Sequence, residues 1–107
     1  MPSVEAVRTL AKEYSIAILA ATATPKTASE LSEELDVPIA TCYRRIEDLE
    51  AGGLLVEHDR VLGESQRRVS RYRRTVDGIA VDFADGGRVR AAERAAPDER
   101  RRRGLEA

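Results

Sequence analysis

The order of periodicities along this chain predicts an α+β fold in which three to four helices precede short antiparallel strands. Three observations carry that prediction. Apolar residues recur at helical spacing through the first half, a capping-box pattern and a double glycine bracket two of the helices, and apolar and polar residues alternate in the second half. A chain of 107 residues has room for one domain with one modest core. Hydrophobic residues make up 42% but aromatics only 4%, so that core must come from Val, Ile, Leu and Ala, and large aromatic ligand cages are not expected.

From Val4, the positions Val7, Leu10, Ala11 and Tyr14 keep helical spacing. A second apolar stretch, Ile16 to Ala21, follows Ser15, which either caps a new helix or sits within a bent one. The run stops at Thr22-Ala23-Thr24-Pro25, because a proline disfavours helix in the residue before it. Thr27-Ala28-Ser29-Glu30 is a capping box, with Leu31 and Leu35 as the buried stripe of a short helix that Asp36-Val37-Pro38 interrupts. Ile39, Cys42, Ile46 and Leu49 share one face of the next helix, predicted over 38–51, and Gly52-Gly53 ends it. Leu54 to Val56 reads as a strand, Asp59 to Gln66 as a polar loop and Val69 to Val76 as the antiparallel return strand. Ile79, Val81 and Phe83 alternate ahead of Asp85-Gly86-Gly87, then Val89 and Ala91 follow, which predicts an extra C-terminal hairpin. The expected organisation is a main domain over 1–76, a hairpin extension over 77–91 and a charged flexible tail over 92–107, with four arginines at 100–103.

The net charge of −1 hides an asymmetry. Residues 1–59 carry 11 acids against 5 bases, residues 60–76 carry 1 acid against 6 bases, and the remainder balances at 7 and 7. A basic segment matters more than the total when the partner is a polyanion. The single Cys42 cannot form an intrachain disulfide, no charged-then-apolar leader stands at the N-terminus, and no stretch approaches the ~18 apolar residues of a membrane span. A cytoplasmic protein without a membrane association is expected.

The segment from Thr27 to Leu55, with its short helix, small turn, second helix and Leu49-Glu50-Ala51-Gly52-Gly53-Leu54, resembles the winged helix-turn-helix of ArsR-type and related small prokaryotic repressors. The return strand Val69 to Arg74 resembles their wing. Within that group, Arg74-Thr75-Val76-Asp77 running into a further hairpin is similar to small archaeal regulators of salt-loving microbes, and the acidic first half and scarcity of lysine agree with a high-salt origin. The likeness covers residues 4–90. It implies a homodimer that binds double-stranded DNA and regulates transcription. Metal-sensing members carry paired cysteines and acid or His clusters, whereas one Cys and one His stand here, so no metal or other cofactor is expected and no small-molecule effector is assigned.

Burying Ile39, Cys42, Ile46 and Leu49 turns Ala40, Thr41, Arg44, Glu47 and Asp48 outward, with Tyr43 and Arg45 at the flanks. The first turns of such a helix meet base edges in the major groove. Arg44 or Arg45 suits a guanine, Thr41 a base or phosphate, and Ala40 a thymine methyl. Arg67, Arg68, Arg71, Arg73 and Arg74 crowd into eight residues, where like charges repel unless a polyanion faces them. Arg67 and Arg68 are assigned to phosphates, while Arg71, Arg73 and Arg74 stand between phosphate contacts and partners for acids. The candidate DNA-binding set is Thr27, Ala40, Thr41, Tyr43, Arg44, Arg45, Arg67, Arg68 and Arg71. Cys42, Tyr14 and Tyr72 read as packing residues and His58 as an exposed polar one.

No nucleophile with a neighbouring base, phosphate loop or metal-ligand spacing is present in the sequence, so no enzyme is expected. The rival reading is a winged-helix adaptor that binds another protein without sequence-specific DNA binding, favoured if acids mix through the basic surface. A subunit of a toxin-antitoxin or transcription-initiation assembly shares the same features.

Overall fold

The computed structural model describes residues 3–92. Helices α1 (Val4–Leu10) and α2 (Ser15–Ala21) lead through strand β1 (Lys26–Thr27) to α3 (Ala28–Leu35) and α4 (Ile39–Ala51). Strands β2 (Leu55–Leu62), β3 (Arg68–Arg74), β4 (Gly78–Asp82) and β5 (Arg88–Ala92) follow. The first three strands form an antiparallel sheet in the order β1-β3-β2, and β4 and β5 form a separate two-stranded sheet. Helix, strand, helix, turn, helix and a strand-wing-strand ribbon make this an α+β winged helix-turn-helix fold, with an additional first helix and a C-terminal hairpin.

Ser15 begins a new helix. Tyr14 sits in the left-handed region at φ 70, and the buried Ser15 hydroxyl donates back to the Thr9 carbonyl at 2.6 Å, closing the end of α1. The capping box forms as the spacing predicts: Thr27 Oγ1 accepts from the Glu30 amide at 3.1 Å, and the Glu30 carboxylate accepts from the Thr27 amide at 2.8 Å. In the three-residue turn, Asp36 takes the left-handed conformation at φ 54, while the Ser32 carbonyl accepts from the Val37 amide at 3.0 Å. Val37, which the spacing placed only in a turn, is buried and joins the core.

At the other end of α4, the Gly53 amide donates to the Glu50 carbonyl and the Leu54 amide to the Leu49 carbonyl, at 3.0 and 2.9 Å. This pair of bonds is a Schellman motif. It requires the positive φ of 75 at Gly53 and brings the buried Leu49 and Leu54 together. The core is Ala6, Ile18, Ala28, Leu31, Val37, Cys42, Ile46, Leu49, Leu54 and Leu55, with Tyr14, Tyr72 and Ile79 among the residues packed against it. Burial pushes the Cys42 thiol up, away from the reactive thiolate, in keeping with a packing role.

The structure corrects several boundaries. β2 runs to Leu62, so the predicted loop from Asp59 shrinks to the five residues Gly63 to Arg67. Its polar residues look like loop in sequence because this strand projects from the body and is exposed on much of its length, leaving no apolar stripe to mark it. A bulge between Glu57 and Asp59 shifts the register and leaves the exposed His58 without a cross-strand partner. β3 ends at Arg74 rather than Val76, and its edge is covered by the unforeseen β1, too short to carry a periodicity. Ile39 is 42% exposed, because the first turn of α4 overhangs the core and the buried stripe begins at Cys42. Phe83 lies in the turn after β4. The tail predicted for 92–107 lies outside the described residues beyond Ala92.

Two changes test this frame. Thr27→Ala removes the cap and is expected to lower unfolding free energy by about 1 kcal/mol, and Gly53→Ala forces a left-handed Ala at a cost of about 1 kcal/mol. Urea denaturation of the full chain measures both.

Candidate nucleic-acid interface

The buried stripe of α4 decides what its other faces offer. Ala40, Tyr43, Arg44 and Glu47 are exposed and Thr41 is half-buried. Among the described residues Arg44 makes one long contact, Nη2 to Thr41 Oγ1 at 3.5 Å, and no ion pair. Tyr43 is 52% exposed.

Arg45 and Asp48 turn the opposite way. Arg45 Nε donates to the Glu13 carbonyl and its Nη1 to Asp48 Oδ2, both at 2.7 Å, and the Arg45 side chain is only 14% exposed. Lys12 adds a second contact to Asp48 at 3.3 Å. This group ties α4 to the joint between α1 and α2, so the structure separates Arg45 from Arg44 although the two are adjacent in sequence.

The wing distributes its charges by strand parity. Arg71 faces Asp59 across the β2–β3 pair and grips it with two nitrogens, Nε to Oδ1 at 2.7 Å, holding the Asp59 carboxyl below the usual carboxylate range. Thr27 is opposite Arg71 on β1, so its hydroxyl serves α3 and its backbone the sheet. Arg74 Nη1 donates to the Leu19 carbonyl at 3.1 Å and Nη2 to Asp77 at 3.0 Å. Arg73 Nη1 donates to the Arg74 carbonyl at 3.2 Å. Arg67 and Arg68, at the distal end of the wing, are exposed and make no ion pair among the described residues. Of the nine candidate residues, the fold therefore leaves Ala40, Tyr43, Arg44, Arg67 and Arg68 open to solvent, with Thr41 beside them. It engages Thr27, Arg45 and Arg71 in structural contacts.

Arg60 was hidden inside the predicted loop. It lies on the same face of the sheet as Arg68, opposite Ser70, and pairs loosely with Glu57 at 3.3 Å. Only the length of β2 reveals this position. Hydrogen bonds from Ser70 and Arg60 hold Glu57 below the usual carboxylate range. Glu50, at the foot of the seam between α4 and the sheet, is pushed upward by burial first and then by Glu57 and Glu47. On the opposite side, a cleft of about 600 Å³ between α3 and the wing is lined by Glu30, Glu33 and Glu64 as well as Arg71. Acids on that side repel phosphate, so the cationic end of the wing and the first turns of α4 form the polyanion-compatible surface. Among the described residues no group of three His, Cys, Asp or Glu side chains is placed to hold a metal ion, and no helix is long and apolar enough to cross a membrane.

The pKa directions set two expectations. A raised Glu50 means that ionisation is disfavoured in the folded protein, a penalty absent below the carboxylate range and complete above it. Glu50→Gln should therefore raise Tm at neutral pH, with the difference vanishing on acidification. A lowered Asp59 contributes stability that is present above its unfolded value and lost as pH falls through its folded one. Arg71→Ala should remove that acid-sensitive step and speed amide exchange at Val61 and Val69 in the wing, whereas Arg67→Ala should change neither.

A comparison with curated proteins returned no match. The profile of a protein family described as a helix-turn-helix domain matches residues 10–58, which hold the end of α1, all of α2, β1, α3 and α4 and the start of β2. Over those residues the chain is similar to that helix-turn-helix domain, and the rest of β2, β3 and the β4–β5 hairpin follow beyond the matched segment.

Proposed function

We propose that this protein is a DNA-binding transcriptional regulator that lays α4 in a major groove and holds phosphates with the end of its wing. The observation that supports this most directly is the allocation of cations. Arg45, Arg60, Arg71 and Arg74 are used in ion pairs within the fold, whereas Arg44, Arg67 and Arg68 stand on exposed ground without an acidic partner among the described residues. Exposed cations with no acid to pair with suit a polyanion, and the helix-turn-helix domain supplies a helix of groove-fitting shape.

In this reading Arg44 pairs with a base edge, Thr41 and Tyr43 contact a base or phosphate, Ala40 meets a thymine methyl, and Arg67 and Arg68 bind phosphates. Arg45, Arg71 and Thr27 act by positioning α4, the wing and α3. The acids Glu50 and Glu57 interact at the base of the seam, opposite the end of the wing, where they do not oppose the phosphates held there. Such a module contacts one half-site, so the regulator works as a homodimer on a two-fold site. In a salt-rich cell, base contacts and DNA shape carry more of the selectivity, because counterion release contributes less. The chain has no enzymatic role in this reading.

Selection of duplexes from a random pool tests the proposal. The wild type should enrich a two-fold motif. Arg44→Ala should relax it at one position in each half-site, by about 1–3 kcal/mol per contact. The double change Arg67→Ala, Arg68→Ala should weaken all sequences alike and lower the salt dependence by about two phosphate contacts. No enrichment at any salt would instead support the protein-binding adaptor.

A further inference from the structure

The bulge in β2 decides which acid the wing keeps beside its arginines. In a regular strand, positions three apart point to opposite faces, so Glu57 and Arg60 would lie on different sides of the sheet. The extra residue at His58 shifts that parity and brings Glu57 onto the face of Arg60. There the Glu57 carboxylate accepts from Arg60 Nε at 3.3 Å and from the hydroxyl of Ser70, the residue directly across from Arg60. Arg68, two residues before Ser70, lies on the same face about 7 Å along the strand. Val61, Val69 and Arg71 take the other face, toward the acidic cleft beside α3.

A guanidinium, a hydroxyl across from it and a second guanidinium one step along make the donor set of a phosphate site. A carboxylate of this chain sits where the anion would be. Its grip is light. The Arg60 side chain is 61% exposed, whereas those of Arg45, Arg71 and Arg74 are 33% or less. Arg60 meets Glu57 through a single nitrogen, while Arg71 holds Asp59 with two. A backbone phosphate presents two non-bridging oxygens to the guanidinium fork, a fuller match than the one nitrogen that Glu57 engages.

We propose that Glu57 is a latch on a further phosphate site of the wing, formed by Arg60 and Ser70 with Arg68 beside them. The carboxylate occupies the site in the free protein and yields it to a backbone phosphate when DNA binds. The hydrogen bonds from Ser70 and Arg60 hold Glu57 below the usual carboxylate range, so the latch is charged at neutral pH. The inference rests on the regulator reading for the source of the phosphate, while the site itself is testable without DNA.

Fluorescence anisotropy of the full chain with a random-sequence duplex measures the latch. Glu57→Gln should bind about five-fold more tightly than the wild type, the scale of one exposed ion pair. In an Arg60→Ala, Ser70→Ala background the same change should gain less than about two-fold, because the residues it frees are gone. Glu33→Gln, an equal change of charge on the α3 side, should stay within about two-fold of the wild type. A gain that persists without Arg60 and Ser70 would overturn the latch, since Glu57 would then act by repulsion alone. A second arm titrates inorganic pyrophosphate and follows the Arg60 Nε–H and Ser70 amide resonances, which should respond at lower concentration in Glu57→Gln than in the wild type. That response without duplex binding at any salt would uphold the site and remove the regulator reading alone. If neither duplex nor pyrophosphate distinguishes Glu57→Gln from the wild type, the site falls. Slow amide exchange at Val61 and Val69 in each variant checks that the wing is still paired.

Discussion

Seating of α4 through Cys42, Ile46 and Leu49 is the constraint on which the rest of this structure depends. These three side chains, with Ile18, Leu31, Leu54 and Val37 around them, are almost entirely removed from water. In a core with so few large residues, each aliphatic contact is a substantial part of the stability, so the rotation of α4 about its axis has little freedom. Once that rotation is set, Arg44 must face out and Arg45 must face the joint between α1 and α2. The Schellman closure at Gly53 then aims the chain into β2, and the Thr75 amide and hydroxyl bond the Leu54 and Gly53 carbonyls at 3.0 and 2.8 Å, bringing the wing back to the same helix end.

Charge on this protein is organised by pairing rather than by total. A net charge near zero arises from a basic wing set against acidic helices, and the fold neutralises much of it internally through Arg71 with Asp59, Arg74 with Asp77 and Arg45 with Asp48. These pairs are half-exposed or more enclosed and hold elements in place more than they add stability, since desolvation offsets much of their attraction. What remains unpaired defines the outward character of the molecule. The arginines at the wing end and on α4 are prominent because the neighbouring ones are already occupied.

The two ends of the fold are built by different means. At the wing, β2 and β3 extend beyond the core and are held by backbone pairing, with Val61 opposite Val69 and Asp59 opposite Arg71. At the other end, the β4–β5 hairpin relies on apolar contact at Ile79 and leaves Val81 and Phe83 outside. One end is polar and charged, the other apolar and free of charge along α2. That contrast lets one small chain present two unlike surfaces.

Local chemistry was enough to write the helical half from the sequence. The Thr27–Glu30 capping box, the break at Asp36-Val37-Pro38, the stripe from Cys42 to Leu49 and the glycines at 52–53 each act within a few residues of themselves, and each reappears in the structure. Tertiary contacts decided the rest. β1 exists only because Lys26 and Thr27 meet Tyr72 and Arg71 across the sheet. The length of β2 depends on pairing with β3 rather than on its own apolar pattern. Sequence spacing could count the arginines but not allocate them, because adjacency along the chain does not say which carbonyl or carboxylate lies across from each. Helical spacing already offered Asp48 to Arg45, but only the folded chain brings Glu13 to Arg45 and Asp59 to Arg71, and leaves Arg44 and the wing-end arginines to the solvent.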